Sequence, residues 1–291
     1  MPGPHDSAAP AGLATLGVVG VGLIGGSVAL AARKRWPDCR VVGLGRSRDR
    51  LAPAVDAGVL NEATDRPEDL AGCTLVVACT PVDRIAADLA AVAPHLREDA
   101  VLTDAGSTKA TVCEAASKLP RPGRFVGGHP MAGSEKTGWR NATADLFEGR
   151  TAAVTPTERC HPDATGRVAQ FWSSLGSRVL LCDPEVHDRL VAAVSHMPHL
   201  AASAVVRAAG DDLSLAASGF ADATRLAAGD PDLWTAIVRE NAGPVAESLA
   251  ALELEIRSAR KAVERSDWPA VRDFLANAAD RRRRLDPGAA P

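Results

Sequence analysis

The sequence predicts an α/β fold, a parallel sheet covered by helices on both faces, followed by an all-α segment. Three observations carry this. Short apolar runs alternate with helix-length segments as far as Leu181, and a Gly-x-Gly-x-x-Gly sequence follows the first run. After Cys182-Asp-Pro184 no convincing strand remains. In order, Leu16-Gly-Val-Val-Gly20 suits a buried parallel strand, and Ile24 to Arg35 a helix rich in Ala and closed by cations. Arg40-Val-Val-Gly-Leu44 is the second strand, Leu51 to Gly58 a helix, and Thr74-Leu-Val-Val-Ala78 the third strand. The alternation continues with helix Arg84 to Ala93, strand Ala100 to Thr103, helix Thr108 to Leu119 and strand Arg124-Phe-Val-Gly127. Two short runs, Thr151 to Val154 and Arg178 to Leu181, are expected to extend the sheet. From Glu185 to Ala279 the pattern reads as about five helices, punctuated at Gly210, Gly229-Asp-Pro231 and Asp267-Trp-Pro269. Met1 to Ala11 reads as a disordered lead-in. Two domains follow, residues 12–183 and 184–285. Arg281 to Arg284 reads as a solvated helix end rather than an anion-binding tail.

Composition narrows the function. Of 291 residues, 46% are apolar and 24% charged, the profile of a soluble globular protein. The net charge of −3 offers no basic footprint, so neither nucleic acid nor an acidic membrane surface is expected as a partner. Tyrosine is absent, which excludes every mechanism that needs a phenol as acid or base, the Tyr-x-x-x-Lys chemistry of short-chain dehydrogenases included. The six cysteines form no C-x-x-C and no disulfide framework, and no signal peptide is visible. A reduced, cytoplasmic protein is expected.

Gly20-Val-Gly22-Leu23-Ile24-Gly25 follows a strand and opens a helix, with another strand about 20 residues on. That context makes it a Rossmann-type dinucleotide fingerprint. Gly20 makes the tight turn, Gly22 admits a pyrophosphate to the backbone, and Gly25 allows close strand–helix packing at the helix N-terminus. The second strand ends in Gly45-Arg46-Ser47-Arg48, where an NAD site usually places an acid for the ribose 2′-hydroxyl. Arg46 and Ser47 suit a 2′-phosphate, so NADP is favoured over NAD; the other reading is solvated loop cations beside Asp49. Thr80-Pro81 and Asp104-Ala-Gly-Ser107 follow the third and fourth strands, at the carboxyl ends where such sheets bind ligands. Asp104 and Ser107 suit helix capping equally well. His129, at a strand end in a loop too rich in Gly and Pro to be core, reads as a site residue. His187, His196, His199 and Arg225 lie where the helical segment can face the cofactor, with Pro198 interrupting a helix between two of them. His196-x-x-His199 lacks a third metal ligand at a familiar spacing, so no metal is expected.

In order and spacing, these pieces resemble the prephenate and arogenate dehydrogenase family of tyrosine biosynthesis, from about Leu16 to Asn241. The matching segments are 20–27, Cys-Thr-Pro-Val at 79–82, Thr-Asp-Ala-Gly-Ser-Thr-Lys at 103–109 and Gly-Gly-His-Pro-Met-Ala-Gly-Ser-Glu-Lys-Thr-Gly at 127–138. Ser-His-Met-Pro-His at 195–199, Ser-Gly-Phe-Ala-Asp-Ala-Thr-Arg-Leu-Ala at 218–227, Asp-Pro-Asp-Leu-Trp at 230–234 and Glu240-Asn241 complete the set.

The resemblance implies oxidative decarboxylation of prephenate with NAD or NADP, or of arogenate as the alternative. It assigns His129 to the substrate C4 hydroxyl and Ser107 to orienting that pair. Arg225 would anchor a substrate carboxylate, while His196, His199 and Glu135 line the pocket and Trp234 reaches toward a partner subunit. Family members are generally dimers through the helical domain, so a homodimer is expected, with no regulatory or mutase segment. One position departs from the family: Ala221 stands where a basic residue is common, which leaves prephenate and arogenate open. Two rivals fit less well. A β-hydroxyacid dehydrogenase needs a helical lysine with asparagine four residues on, but Lys261 is followed by Arg265. A non-catalytic NADP-binding regulator needs only the glycine loop, not His129, Ser107 and Arg225 together.

Overall fold

The computed structural model describes residues 13–133 and 136–284; Met1 to Ala11 and Glu135 lie outside them. Strands β1 (Thr15–Val19), β2 (Arg40–Leu44), β3 (Glu62–Thr64), β4 (Leu75–Ala78) and β5 (Val101–Asp104) form a five-stranded sheet in the order β3-β2-β1-β4-β5. Every pairing is parallel, with Gly17 opposite both Val42 and Val76. Helices α1 (Leu23–Arg35), α2 (Arg48–Asp56) and α3 (Val82–Val92) connect its strands, and α4 (Ala110–Ala116) follows its last strand. A parallel sheet covered on both faces needs continuous apolar strands, and Leu16, Val18, Val41, Leu75, Val77 and Val101 are fully buried. β3 has only three residues and no apolar run, so periodicity gave no sign of it.

The runs at 151–154 and 178–181 do not extend this sheet. With β6 (Gly127–Pro130), β7 (Thr151–Thr155) and β8 (Arg178–Leu181) form a separate three-stranded sheet, backed by α5 (Pro162–Ser174). β6 runs antiparallel to β7, with His129 opposite Ala153. Between β5 and the β6 segment a single parallel bridge forms, Leu102 to Phe125. The reason lies in Gly128: its N–H donates to Asp104 Oδ1 at 3.0 Å and its carbonyl accepts from Lys109 Nζ at 2.9 Å. Side chains thus occupy the groups a longer ladder would need. A second correction concerns His129, which stands inside β6 at 9% exposure rather than in a loop beyond a strand at 124–127.

Beyond residue 183 come α6 (Pro184–Val191), α7 (Met197–Ala209), α8 (Ser218–Thr224), α9 (Pro231–Glu240), α10 (Ala242–Glu264) and α11 (Trp268–Arg283), six helices among the described residues where about five were expected. α6 and α7 run on through a π-turn with Pro198 in the first turn of α7, so the six labels describe five continuous helical stretches. The π-turn, Ala192–His196, widens the backbone ahead of Pro198, absorbing the missing N–H and the crowding a proline brings. By compactness the chain divides at residue 242, into Met1–Ala242 and Gly243–Pro291. In the second unit Asp267 caps α11 by accepting from Ala270 N at 3.1 Å. Leu254, Ile256, Trp268 and Leu275 are exposed along α10 and α11.

Candidate active site

The strand order reverses between β1 and β4, and a crevice opens at the carboxyl ends of such neighbours. Gly20 leaves β1 with φ +85°, and a Cβ there would meet Thr80 Cγ2 at 2.6 Å, so only glycine lets the two loops touch. Gly25 faces the carbonyl of Gly20 too closely for any side chain. Gly22 caps the 13-residue α1 with no side-chain hydrogen bond, and no acid stands in the first turn, which Leu23 and Ile24 open. Free N–H groups and the positive end of the helix dipole fit a pyrophosphate here. Thr80 is held by its hydroxyl, which donates to Asp88 at 2.7 Å, and Pro81 is the N-cap of α3. Arg46 is exposed and Ser47 half-buried at the N-cap of α2, past the end of β2, which is the neighbour of β1.

Asp104 does not cap the following helix. Its carboxylate is fully buried and accepts from Gly106 N at 2.9 Å and Gly128 N at 3.0 Å, besides pairing with the buried Lys109 ammonium. It holds the turn carrying Ser107 against β6. Ser107 itself is half-buried in that turn and does not cap α4 either. That duty falls to Asp188, whose two carboxylate oxygens accept from Lys109 N at 2.8 Å and Ala110 N at 2.9 Å.

A buried histidine cluster lies beside this turn. His129 Nδ1 is 2.9 Å from His187 Nε2, and His187 Nδ1 is 2.8 Å from Asp188 Oδ1. His187 is 2% exposed and Asp188 3%. Burial, then the neighbouring His187, Lys109 and His196, holds His129 well below the ordinary histidine range, so its ring is neutral at physiological pH. Asn241 Nδ2 donates to the Asp188 carbonyl at 2.8 Å and to His196 Nδ1 at 3.1 Å. An amide NH2 can only donate, so His196 carries its hydrogen on Nε2, which is buried with no partner in the chain. Burial outweighs the nearby Asp188 carboxylate and brings His196 down to about 4.

The second cluster is built on α7 and α9. The Trp234 indole stacks on His199 and meets His196 edge-on, with centroids 6.1 Å apart. Within the chain, then, Trp234 packs on site histidines. Burial lowers the His199 pKa and the adjacent Arg225 pushes the same way, against a hydrogen bond with the Leu226 backbone. Arg225 is exposed at the start of a 3₁₀ turn, Arg225–Ala228. His196 therefore joins the two clusters. Among the described residues no group of three or more His, Cys, Asp or Glu is placed to hold a metal.

Sequence reasoning gave Asp188, Lys109 and Asn241 no role, and named His187 without one. An adjacent His-Asp pair on a helix has no spacing signature, because its partners come from β6 and α4.

Residues 28–181 match the family model described as prephenate dehydrogenase, nucleotide-binding domain, and residues 183–277 that of the prephenate dehydrogenase dimerization domain. Prephenate dehydrogenase of Bacillus subtilis is 31% identical over 278 residues, covering 92% of this chain and 75% of that protein. The solved prephenate dehydrogenase of A. aeolicus, in complex with hydroxyphenyl propionate and NAD+, superposes with a TM-score of 0.88 at 29% identity over 94% of this chain and 98% of that one. Arogenate dehydrogenase of Synechocystis gives 0.83 at 31% identity, over 94% and 100%. With both halves matched by its two domain models, the chain belongs to the prephenate dehydrogenase family.

Proposed function

We propose that this chain catalyses the NAD(P)-dependent oxidative decarboxylation of prephenate to 4-hydroxyphenylpyruvate. The observation that carries the reading is His129: a neutral imidazole on β6, beside the turn that ends β5 and next to a second buried histidine. Bound at the Gly20–Gly25 turn, a nicotinamide dinucleotide supplies the acceptor for the hydride leaving C4 of the ring. His129 takes the proton of the C4 hydroxyl, the ring carboxylate departs as carbon dioxide leaving its electron pair to the aromatising ring, and the proton returns to the ring oxygen to give the phenol; aromatisation drives the sequence forward. Ser107 orients His129 and the hydroxyl. Arg225 holds a carboxylate, for which a planar two-point donor is apt. His196, through its Nε2–H, and His199 with Trp234 line the remainder, together with Glu135.

Arogenate is the second substrate reading, favoured by Ala221, which is exposed on α8 and brings no cation to the substrate side chain. NADP is the preferred cofactor in our reading, on Arg46 and Ser47. The working unit is a homodimer through the helical half, whose exposed Leu254, Ile256, Trp268 and Leu275 await cover. We take residues 12–183 as the dinucleotide-binding domain and 184–285 as the substrate and dimerisation domain. A cytoplasmic setting belongs to the same proposal; among the described residues no helix is long and apolar enough to cross a membrane. The test is purified protein with prephenate or arogenate, each with NAD+ or NADP+, followed at the reduced-nicotinamide absorbance. Turnover of neither substrate with either cofactor would overturn it.

A further inference from the structure

A base must present a lone pair, and an imidazole has two nitrogens, so which one bears the hydrogen decides whether His129 works. The hydrogen bonds settle the matter by elimination. Asp188 already accepts backbone N–H groups on both oxygens, from Lys109 and Ala110. Its contact with His187 Nδ1 at 2.8 Å is therefore one in which the ring donates. An imidazole that carries its one hydrogen on Nδ1 has only a lone pair on Nε2, here the atom 2.9 Å from His129 Nδ1. His129 Nδ1 must carry the hydrogen, and its Nε2 is left with the lone pair.

We propose that His187 and Asp188 are positioning residues that hold His129 as its Nδ1–H tautomer, aiming an unprotonated Nε2 at the substrate hydroxyl. The inference rests on the reading of His129 as proton acceptor. It extends that reading to two buried residues that act through His129.

The arrangement also serves the moment after proton uptake. When Nε2 gains the hydroxyl proton, the new positive charge sits in a buried site already facing the Lys109 ammonium and the His187 and His196 rings. The Asp188 carboxylate, one imidazole away, supplies the compensating negative charge, and the Nδ1–H of His129 already points along that line. Asp188 itself is fixed from three sides. Two backbone N–H groups at the start of α4 hold its carboxylate, and Asn241 holds its carbonyl. A buried Asp–His pair behind a catalytic base has the logic of the third member of a hydrolase triad, which orients and sets a tautomer without reacting.

Nitrogen-15 spectra of the imidazole rings in the labelled, substrate-free protein test the tautomer directly. At neutral pH the expected pattern for His129 is a protonated Nδ1 and an unprotonated Nε2. In His187→Leu that preference is lost, and kcat falls by roughly two to three orders of magnitude while the cofactor KM stays within about threefold. His187→Gln keeps an acceptor oxygen for the His129 Nδ1–H and recovers at least about tenfold over the leucine variant, a rescue that a merely structural role does not predict. His129 found protonated at Nε2 in the wild type overturns the proposal, as does a His187→Leu enzyme of unchanged kcat. A wild-type protein that turns over neither prephenate nor arogenate defeats the proposed function instead, while the nitrogen spectra still decide the tautomer.

Discussion

The Trp234 indole lies flat on the His199 imidazole, ring centroids 3.3 Å apart and planes 25° from parallel. Stacking of this kind fixes a ring that would otherwise turn about two torsions, so Trp234 sets where the His199 nitrogens point. Trp234→Ala is expected to raise the substrate KM by roughly tenfold with a smaller change in kcat, and Trp234→Phe to stay near wild type, since a phenyl ring keeps the stack. Equal Michaelis constants in the alanine variant and the wild type would separate Trp234 from the pocket.

The pH profile follows from burial. His129 acts unprotonated, and its folded pKa lies well below 6.5, with His187 on α6, Lys109 ahead of α4 and His196 on the π-turn all facing it. Activity should therefore persist as pH falls through 6.5, and the acid limb of kcat/KM should lie below that value. Stability moves in the same direction. His196 titrates near 4 when folded and near 6.5 when unfolded, so over that window the unfolded chain takes up a proton the folded chain refuses. Stability is full above pH 6.5 and declines as pH drops toward 4, by at most about 3 kcal/mol from this group. Urea titrations at pH 7 and 5 measure the loss; a higher midpoint at pH 5 would contradict the sign.

Arg225 should act on binding. Arg225→Ala removes a charge-assisted pair worth roughly 1.5–3 kcal/mol, so the substrate KM is expected to rise about ten- to 150-fold with the cofactor KM unmoved. Arg225→Lys recovers only part, because an ammonium lacks the planar fork. If neither variant shifts the substrate KM, Arg225 does not hold the carboxylate.

Lys109 and Asp104 form a buried pair with both side chains at 0% exposure, and Lys109 Nζ also donates to the Gly128 carbonyl. Lys109→Met leaves a buried carboxylate without its cation and is expected to cost roughly 3–5 kcal/mol. Adding Asp104→Asn removes the orphaned charge, so the double variant should lose less than the sum of the two single changes. Denaturant midpoints of the four proteins give the coupling, and strict additivity would show that the pair is not linked.

The contrast between these residues explains what the sequence made legible. The glycine turn and the apolar runs of β1, β2, β4 and β5 are local signals, because backbone conformation and burial on both faces act within a few residues of chain. Gly128-His129-Pro130 misled for the same reason. Its Gly and Pro content suggests a loop, while its strand character comes from β7, more than 20 residues away. Asp104 read equally as a cap, but it caps no helix: its carboxylate is tied to Gly106, Lys109 and Gly128, the last of which lies in another sheet. His187 and Asp188 sit side by side in the chain without a motif, and only packing of α6 against α4 and β6 gives them work.

In the proposed function the cofactor preference turns on the end of β2. An acid there would repel a 2′-phosphate, which carries about −1.5 to −2 charge near neutral pH by analogy with other phosphomonoesters. Gly45 removes that repulsion, and the exposed Arg46 and Arg48 flank the half-buried Ser47 at the start of α2. The Arg48 backbone N–H is tied to Asp65 Oδ2 at 3.3 Å, which fixes the turn. Two charge-assisted bonds at roughly 1.5–3 kcal/mol each would favour NADP by about two to four orders of magnitude. Arg46→Ala with Arg48→Ala should erase that advantage and leave kcat/KM for NAD within about threefold. Gly45→Asp with Arg46→Ala should go further and reverse the preference, by restoring the 2′-hydroxyl acceptor and deleting a phosphate donor. A Cβ at position 45 meets Leu51 Cδ1 at 2.7 Å, so Leu51 must swing aside, a modest cost because the obstructing atom ends a flexible side chain. Measured kcat/KM for both cofactors in the three proteins decides the matter: a wild type tenfold more efficient with NAD would mean that these cations serve only the solvent.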